Sequence, residues 1–224
     1  MKQNYYANCL GKIDTVLLDM DGTLLDLNFD NHFWNEFIPL KYAEQNNLSI
    51  TEAKQYLKPQ FKSMEGQLEW YCLDYWSETL HLNIAELKQE VSELIAVLPH
   101  VMEFLEKLKQ SSKKVLLVTN AHRDSLNLKM DKTCLQVFFD DIISSHDFGF
   151  AKEHQQFWQQ LDEMHIFDKK TTLLIDDSIA VLKSAELFGI KYLISISKPD
   201  TQQPIKCVTE YDAIEDFRVI TLGL

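Results

Sequence analysis

The chain has 224 residues, 46% of them hydrophobic and 25% charged, and a net charge of −12 from 34 acids against 22 lysines and arginines. That length buries a sizeable core, and the acidic balance argues against nucleic-acid polymers and anionic membrane surfaces, which attract basic patches. No stretch approaches the roughly 20 apolar residues of a membrane span, and the opening segment lacks a run of signal-peptide length. Cys9, Cys72, Cys134 and Cys207 are scattered without a CxxC, so the expectation is a cytoplasmic protein with reduced thiols rather than a disulfide framework or zinc site.

In chain order, Val16-Leu17-Leu18 reads as a buried parallel strand that ends in Asp19-Met20-Asp21, with Gly22-Thr23 as its exit turn. About seventy residues of helical pattern follow, from Asn31 to Leu98. The first helix takes its apolar faces from Phe33, Trp34, Phe37, Ile38 and Leu40. Ser49-Ile50-Thr51-Glu52 reads as a capping box for a second. Leu68, Tyr71, Cys72, Tyr75 and Trp76 recur at helical spacing in a third. Asn83 caps a fourth, with Leu87, Val91, Leu94, Ile95 and Leu98 along one side, and Pro99 marks a helix start.

From Pro99 strands and helices alternate. Val101 to Leu108 is amphipathic, Val115 to Val118 is a second strand ending in Thr119-Asn120, and Asp124 to Lys132 is helical. Ile142 to Ser144 is a third strand, a loop carries Lys152, and His154 to His165 is helical. Thr172 to Ile175 is a fourth strand ending in Asp176-Asp177, Ser178 caps a helix that stops at Gly189, and Tyr192 to Ile196 is a fifth strand. The tail from Lys198 is polar, with a short apolar end. The expectation is an α/β protein: a Rossmann-like parallel sheet in residues 1–26 and 97–224, with a helical insert over 27–96 hanging above the C-terminal edge of strand one.

Three strand ends therefore bring Asp19, Asp21, Thr119, Asn120, Asp176 and Asp177 to one edge of the sheet, where open α/β sheets hold their ligands, and a loop adds Lys152. Crowded carboxylates repel one another, and an all-oxygen set suits Mg²⁺. Lysine and backbone amides at a helix start suit a phosphate. With six glycines the chain has no GxGxxG and no GxxxxGK[ST], and it has no HExxH. His32, His122 and His146 are within reach of the edge, but isolated histidines are more often structural, and His154 and His165 are too far apart for metal-ligand spacing.

In order and spacing, Asp19-Met20-Asp21-Gly22-Thr23, Thr119, Lys152 and Asp176-Asp177 resemble the four motifs of the haloacid dehalogenase-like hydrolases, and the helical insert resembles that superfamily's first cap. The resemblance implies Asp19 as nucleophile, Asp21 as general acid and base, and Thr119, Asn120 and Lys152 as phosphate-binding residues. It further implies Mg²⁺ held by Asp19, Asp21 (through its backbone carbonyl) and the Asp176-Asp177 pair. Asp21 favours phosphoryl chemistry, because dehalogenases of the superfamily lack an acid there.

Two positions depart from the commoner pattern. Asp176 replaces a glycine, and Val181 sits where a second acid falls. That makes Asp177 the expected metal ligand and Asp176 its orienting partner, with the roles open to exchange. Glu153 replaces a frequent proline and adds a negative charge beside Lys152.

The insert is rich in aromatics: Phe29, Phe33, Trp34, Phe37, Trp70, Tyr71, Tyr75 and Trp76. Most are expected to pack a helical core, with one or two facing the site. Residues 26–34, 69–76, 119–122 and 175–178 resemble the corresponding stretches of the superfamily's bacterial GMP/IMP nucleotidases. That implies a purine 5′-nucleotidase acting on a small phosphorylated metabolite, a nucleoside monophosphate. A sugar-phosphate phosphatase or phosphomutase is the alternative, and a non-catalytic binding protein on the same fold is less favoured because both catalytic acids are present.

Overall fold

The structure is a computed structural model and describes residues 11–221. Cys9, the opening segment read above and the last three residues of the apolar end lie outside them.

Six strands form one parallel sheet: β1 (Thr15–Leu18), β2 (Lys114–Thr119), β3 (Asp141–Ser144), β4 (Thr172–Asp176), β5 (Tyr192–Ile196) and β6 (Asp212–Ile214), in the order β3-β2-β1-β4-β5-β6. Strand alternation sorts the core onto two faces. Val16 and Leu18 join Leu117, Ile175, Phe104 and Phe217 on one face. Leu17 joins Leu116, Leu174, Phe157 and Trp158 on the other. Leu18 lies opposite Leu117 and Ile175, so the next residues of all three strands emerge together at one edge.

The insert contains α1 (Asn28–His32), a wider π-helical turn over Phe33–Phe37, α2 (Ile38–Asn46), α3 (Ile50–Met64), α4 (Leu68–Tyr71), α5 (Leu73–Leu80) and α6 (Ile84–Glu90). It has its own apolar cluster, in which Phe29, Phe33, Leu57, Trp76 and Ile84 are buried. Its two connections run side by side: Leu25 bridges Val97 in antiparallel sense, Asp26 N–H donates to Ala96 O at 2.8 Å, and Leu98 N–H donates to Leu24 O at 2.9 Å.

The core helices are α7 (Val101–Gln110), α8 (Arg123–Thr133), α9 (Gln155–Met164), α10 (Ile179–Phe188) and α11 (Arg218–Thr221). Among the described residues no helix is long and apolar enough to cross a membrane.

Four expectations need correction. The third helix of the insert is two, α4 and α5, broken at Cys72. Its backbone is extended there (φ −83°, ψ 112°), its Sγ accepts the Tyr75 N–H, and the Trp76 indole N–H takes the Trp70 carbonyl at 2.9 Å. The fourth helix stops at Glu90, because Val91 leaves helical geometry, and Leu98 packs in the core cluster instead. Helix α7 begins after His100 in the left-handed region (φ 64°), so Pro99 precedes its cap. Leu40 is solvent-exposed, not part of a packed face.

Strand β6 lies in the tail expected to be polar, where the residue pattern gives no strand signal. It is three residues long, held where Ser197 N–H and Oγ both donate to Ile214 O.

The capping box forms as read: Glu52 N–H donates to Ser49 Oγ, and Glu52 Oε2 accepts from Ser49 N–H at 2.9 Å. Ser49→Ala is expected to cost about 1 kcal/mol in denaturant unfolding and to leave activity unchanged. An unaltered midpoint would show that the box contributes nothing.

Candidate active site

Strand β1 delivers Asp19 and, two residues on, Asp21. Gly22 turns the chain at φ +83°, and a Cβ there would lie 2.7 Å from Asp177 Cγ. Glycine therefore supplies both the left-handed backbone and the space for Asp177.

Lys152, 1% exposed, spends its ammonium protons on Asp19 Oδ1 at 2.6 Å, Asp176 Oδ2 at 2.8 Å and Val118 O at 2.9 Å. Burial opposes its charge, but Asp176 and Asp19 hold it well above the ordinary lysine range. Asp176 Oδ1 accepts the Ser178 N–H at 2.9 Å, so both of its oxygens have protein donors. Asp177 has Lys206 Nζ at 3.7 Å. Burial, with Asp176 and Asp19 beside it, pushes Asp177 up to about 8. Burial likewise pushes Asp19 up to about 6 against the pull of Lys152.

Ligand oxygens of Asp19, Asp176 and Asp177 lie within 4.8 Å of one another. Two buried carboxylates on one ammonium, with the partly buried Asp177 beside them, form a donor set that fits a hard, oxygen-seeking cation. The Asp21 carboxylate is not in that group. It turns to Lys129.

The structure brings every sequence-assigned residue to this edge, but it gives two of them unexpected partners. The Asn120 side chain is committed: its amide donates to Glu153 Oε2 at 2.9 Å and its Oδ1 accepts the Lys152 N–H at 2.9 Å. Glu153 takes the Asn120 amide and also accepts the Tyr71 hydroxyl of the insert at 2.7 Å. Thr119 Oγ1 accepts the Ala121 N–H at 3.0 Å, which leaves its hydroxyl proton to donate.

Sequence reasoning missed three residues. Lys129 on α8 donates to Asp21 Oδ1 at 2.7 Å and to Asp30 Oδ2 at 2.6 Å, and Lys88 on α6 donates to Asp30 Oδ1 at 2.6 Å. Both lysines are buried. Burial opposes the Asp30 charge, yet Lys129 and Lys88 hold it well below the usual carboxylate range. Burial raises Asp21 to about 6, with Lys129 opposing and Asp30 adding to the rise. The available signal was weak: Lys129 lies between Leu126 and Met130 on the buried side of α8.

Above these acids a cavity of about 680 Å³ opens between insert and sheet edge, within the range of small-molecule pockets. Trp34, Phe61, Trp70 and Tyr71 line its insert side, and Lys54, Lys58 and Lys62, one turn apart on α3, lie along it. Trp34 and Trp70 stand 5.8 Å apart at 33°. Phe29, Phe33 and Trp76 are fully buried in the insert instead.

A parallel sheet with paired acids at the end of its central strand, under a helical insert, is the arrangement of a haloacid dehalogenase-like hydrolase. The model of that family matches residues 13–189, and the chain belongs to it. Over 206 residues it is 40% identical to the GMP/IMP nucleotidase YrfG of Escherichia coli, covering 92% of this chain and 93% of that one. It is 24% identical over 172 residues to the pyrophosphatase PpaX of Bacillus mycoides, covering 75% and 76%. Among solved structures, a HAD phosphatase from Thermococcus onnurineus superposes with a TM-score of 0.74 at 20% identity, covering 90% of this chain and 93% of that one.

Proposed function

We propose that the protein is a Mg²⁺-dependent phosphatase of purine 5′-nucleotides such as IMP and GMP, working through an aspartyl-phosphate on Asp19. The observation that carries this reading is the 40% identity, across nearly the full length of both chains, to a GMP/IMP nucleotidase. The cavity supports it: Trp34 and Trp70 offer faces for a planar base, and Lys58 and Lys62 on α3 offer charge to an anion in a protein of net charge −12, Lys54 being paired with Glu36 at 2.6 Å. We take residues 27–96 as the cap, residues 1–26 and 97–224 as the catalytic core, and the cytoplasm as the compartment.

In this mechanism an Asp19 oxygen bonds to phosphorus as the bond to the ribose 5′-oxygen breaks, and the Asp21 carboxyl gives its proton to that oxygen. Asp21 then takes a proton from water, whose oxygen attacks phosphorus, and the bond to Asp19 breaks to return the carboxylate and free phosphate. Lys152 offsets charge on Asp19 and on the transferring group. The Thr119 hydroxyl donates to phosphate, and Asn120 serves phosphate binding by fixing the Lys152 loop.

Asp19, Asp177, Asp176 and the Asp21 carbonyl are the groups we assign to Mg²⁺, which when bound supplies positive charge between nucleophile and phosphate. Asp177 is the better direct ligand, because Asp176 already satisfies Lys152 and Ser178.

The test is phosphate release from IMP and GMP beside a panel of sugar phosphates, with and without Mg²⁺. Much faster turnover of the sugar phosphates would overturn the nucleotidase reading and leave the phosphatase one standing.

The Tyr71–Glu153 hydrogen bond joins cap and core beside Lys152. Tyr71→Phe is expected to raise KM for the nucleotide about tenfold, the worth of a hydrogen bond to a charged group, with little change in kcat. Steady-state kinetics decide, and an unchanged KM would remove this contact from substrate binding.

A further inference from the structure

The acidic cluster is one of two groups of metal-competent side chains among the described residues. The other is Cys72, His122 and His146, whose ligand atoms all lie within 4.8 Å of one another. They come from separate places in the fold. Cys72 lies at the break between α4 and α5 in the insert, His122 at the turn leading β2 into α8, and His146 just after β3. The two imidazoles meet edge to face, 5.1 Å between centroids.

A second, independent observation points to a ligand here. His146 Nε2 is buried without a hydrogen-bond partner, an arrangement that costs stability unless something fills the position. Carboxylates flank the neighbouring ring: Asp74 Oδ2 is 3.6 Å from His122 Nε2, and Asp124 Oδ2 is 3.7 Å from its Nδ1. His122 Nδ1 accepts the Asp124 N–H at 3.4 Å; ligation through Nε2 moves the ring proton to Nδ1, where the Asp124 carboxylate accepts it.

We propose that Cys72, His122 and His146 bind a borderline-soft divalent cation of the zinc class across the seam between insert and core. One thiolate and two imidazoles suit such a cation, whereas the all-oxygen set of the acidic cluster suits Mg²⁺. The two sites therefore sort cations by ligand chemistry although both border the same cleft. Binding releases the Cys72 thiol proton to solvent and takes both histidines neutral. A small contraction of the three side chains reaches metal–ligand distances of roughly 2.0–2.3 Å, and the fourth position falls to water or Asp74.

Cys72 follows Tyr71, and His122 lines the cavity, so a cation here ties the insert down over the acids. If the phosphatase reading holds, on which this consequence rests, zinc occupancy slows turnover by delaying release of product.

The test uses metal-stripped protein in excess Mg²⁺, titrated with Zn²⁺ against a chromophoric chelator and separately with Co²⁺ to read thiolate-to-cobalt charge transfer in the near ultraviolet. The expected result is one zinc per chain and a charge-transfer band. Cys72→Ser, whose hydroxyl can cap α5 as the thiol does, should abolish the band, and both it and His146→Gln should weaken zinc binding about tenfold or more. Circular dichroism and thermal unfolding check that both variants are folded. Zinc binding of native strength in both variants, or a cobalt complex without the thiolate band, overturns the site. Neither readout depends on turnover, so failure of the nucleotidase reading would leave this result interpretable.

Discussion

Asp19→Asn is expected to lower kcat by on the order of 10⁴-fold or more, the scale seen when a covalent nucleophile is removed, while leaving the protein folded. The amide is nearly isosteric and keeps an oxygen to accept from Lys152, but it cannot form the acyl-phosphate bond. The effect on stability has a definite sign. Burial raises the folded-state pKa of Asp19 to about 6, above its ordinary value of 3.8. The folded protein thus holds this proton more tightly than the unfolded chain, and ionised Asp19 lowers stability progressively as pH rises from the lower value through the higher. At neutral pH the amide removes that burden, so with protein groups alone as neighbours the variant should unfold at a temperature equal to or above the native one. Single-turnover phosphate release and calorimetry check the two halves separately. Native turnover in the variant would falsify the covalent mechanism.

Lys152→Met should abolish activity and also cost about 3–5 kcal/mol of stability near neutral pH, the range found when one partner of a buried ion pair is removed. Methionine fills most of the volume, so the loss is electrostatic: Asp19 and Asp176 remain buried without the ammonium that serves both. Without it both acids are raised further above their unfolded values, and the variant binds protons on folding over a wider range. Its deficit relative to the native protein should therefore shrink as pH falls and the acids protonate. Denaturant unfolding at about pH 8 and about pH 5 reads this directly, with the larger deficit at the higher pH. A deficit that is equal at both pH values would mean that the lysine holds the site by packing and not by charge.

The catalytic edge was legible because its signals are local. An apolar run ending in Asp19-Met20-Asp21-Gly22 shows strand, turn and acids within seven residues, and strand register then carries Thr119 and Asp176 to the same edge. Ser49, Asn83 and Ser178 announced their helices for the same reason: a cap side chain bonds an amide three residues away. Helix ends were harder. α2, α5 and α8 stop at Asn47, His81 and Cys134, all with positive φ, and two of those residue types carry no stop signal of the kind glycine gives. The break at Cys72 depends on a tryptophan indole reaching back to a carbonyl, and hydrophobic spacing does not register that contact.

The sequence by itself determined the parallel α/β core, the helical insert after β1, and the identity of the acids and the lysine at the sheet edge. Each of these follows from periodicity, caps and residue order along a short stretch. Tertiary structure alone decided the partners. Asp30, Lys88 and Lys129 link with Asp21 across separations of 58 to 108 residues, Glu153 accepts from Tyr71 of the insert and Asn120 of the core, and Cys72 meets two histidines of the core. A buried lysine and a solvated one look alike in a sequence, because burial depends on which distant helix closes over the side chain. The different surroundings of Asp176 and Asp177 have the same origin: only the folded chain places the Lys152 ammonium on the first and leaves the second facing the acids.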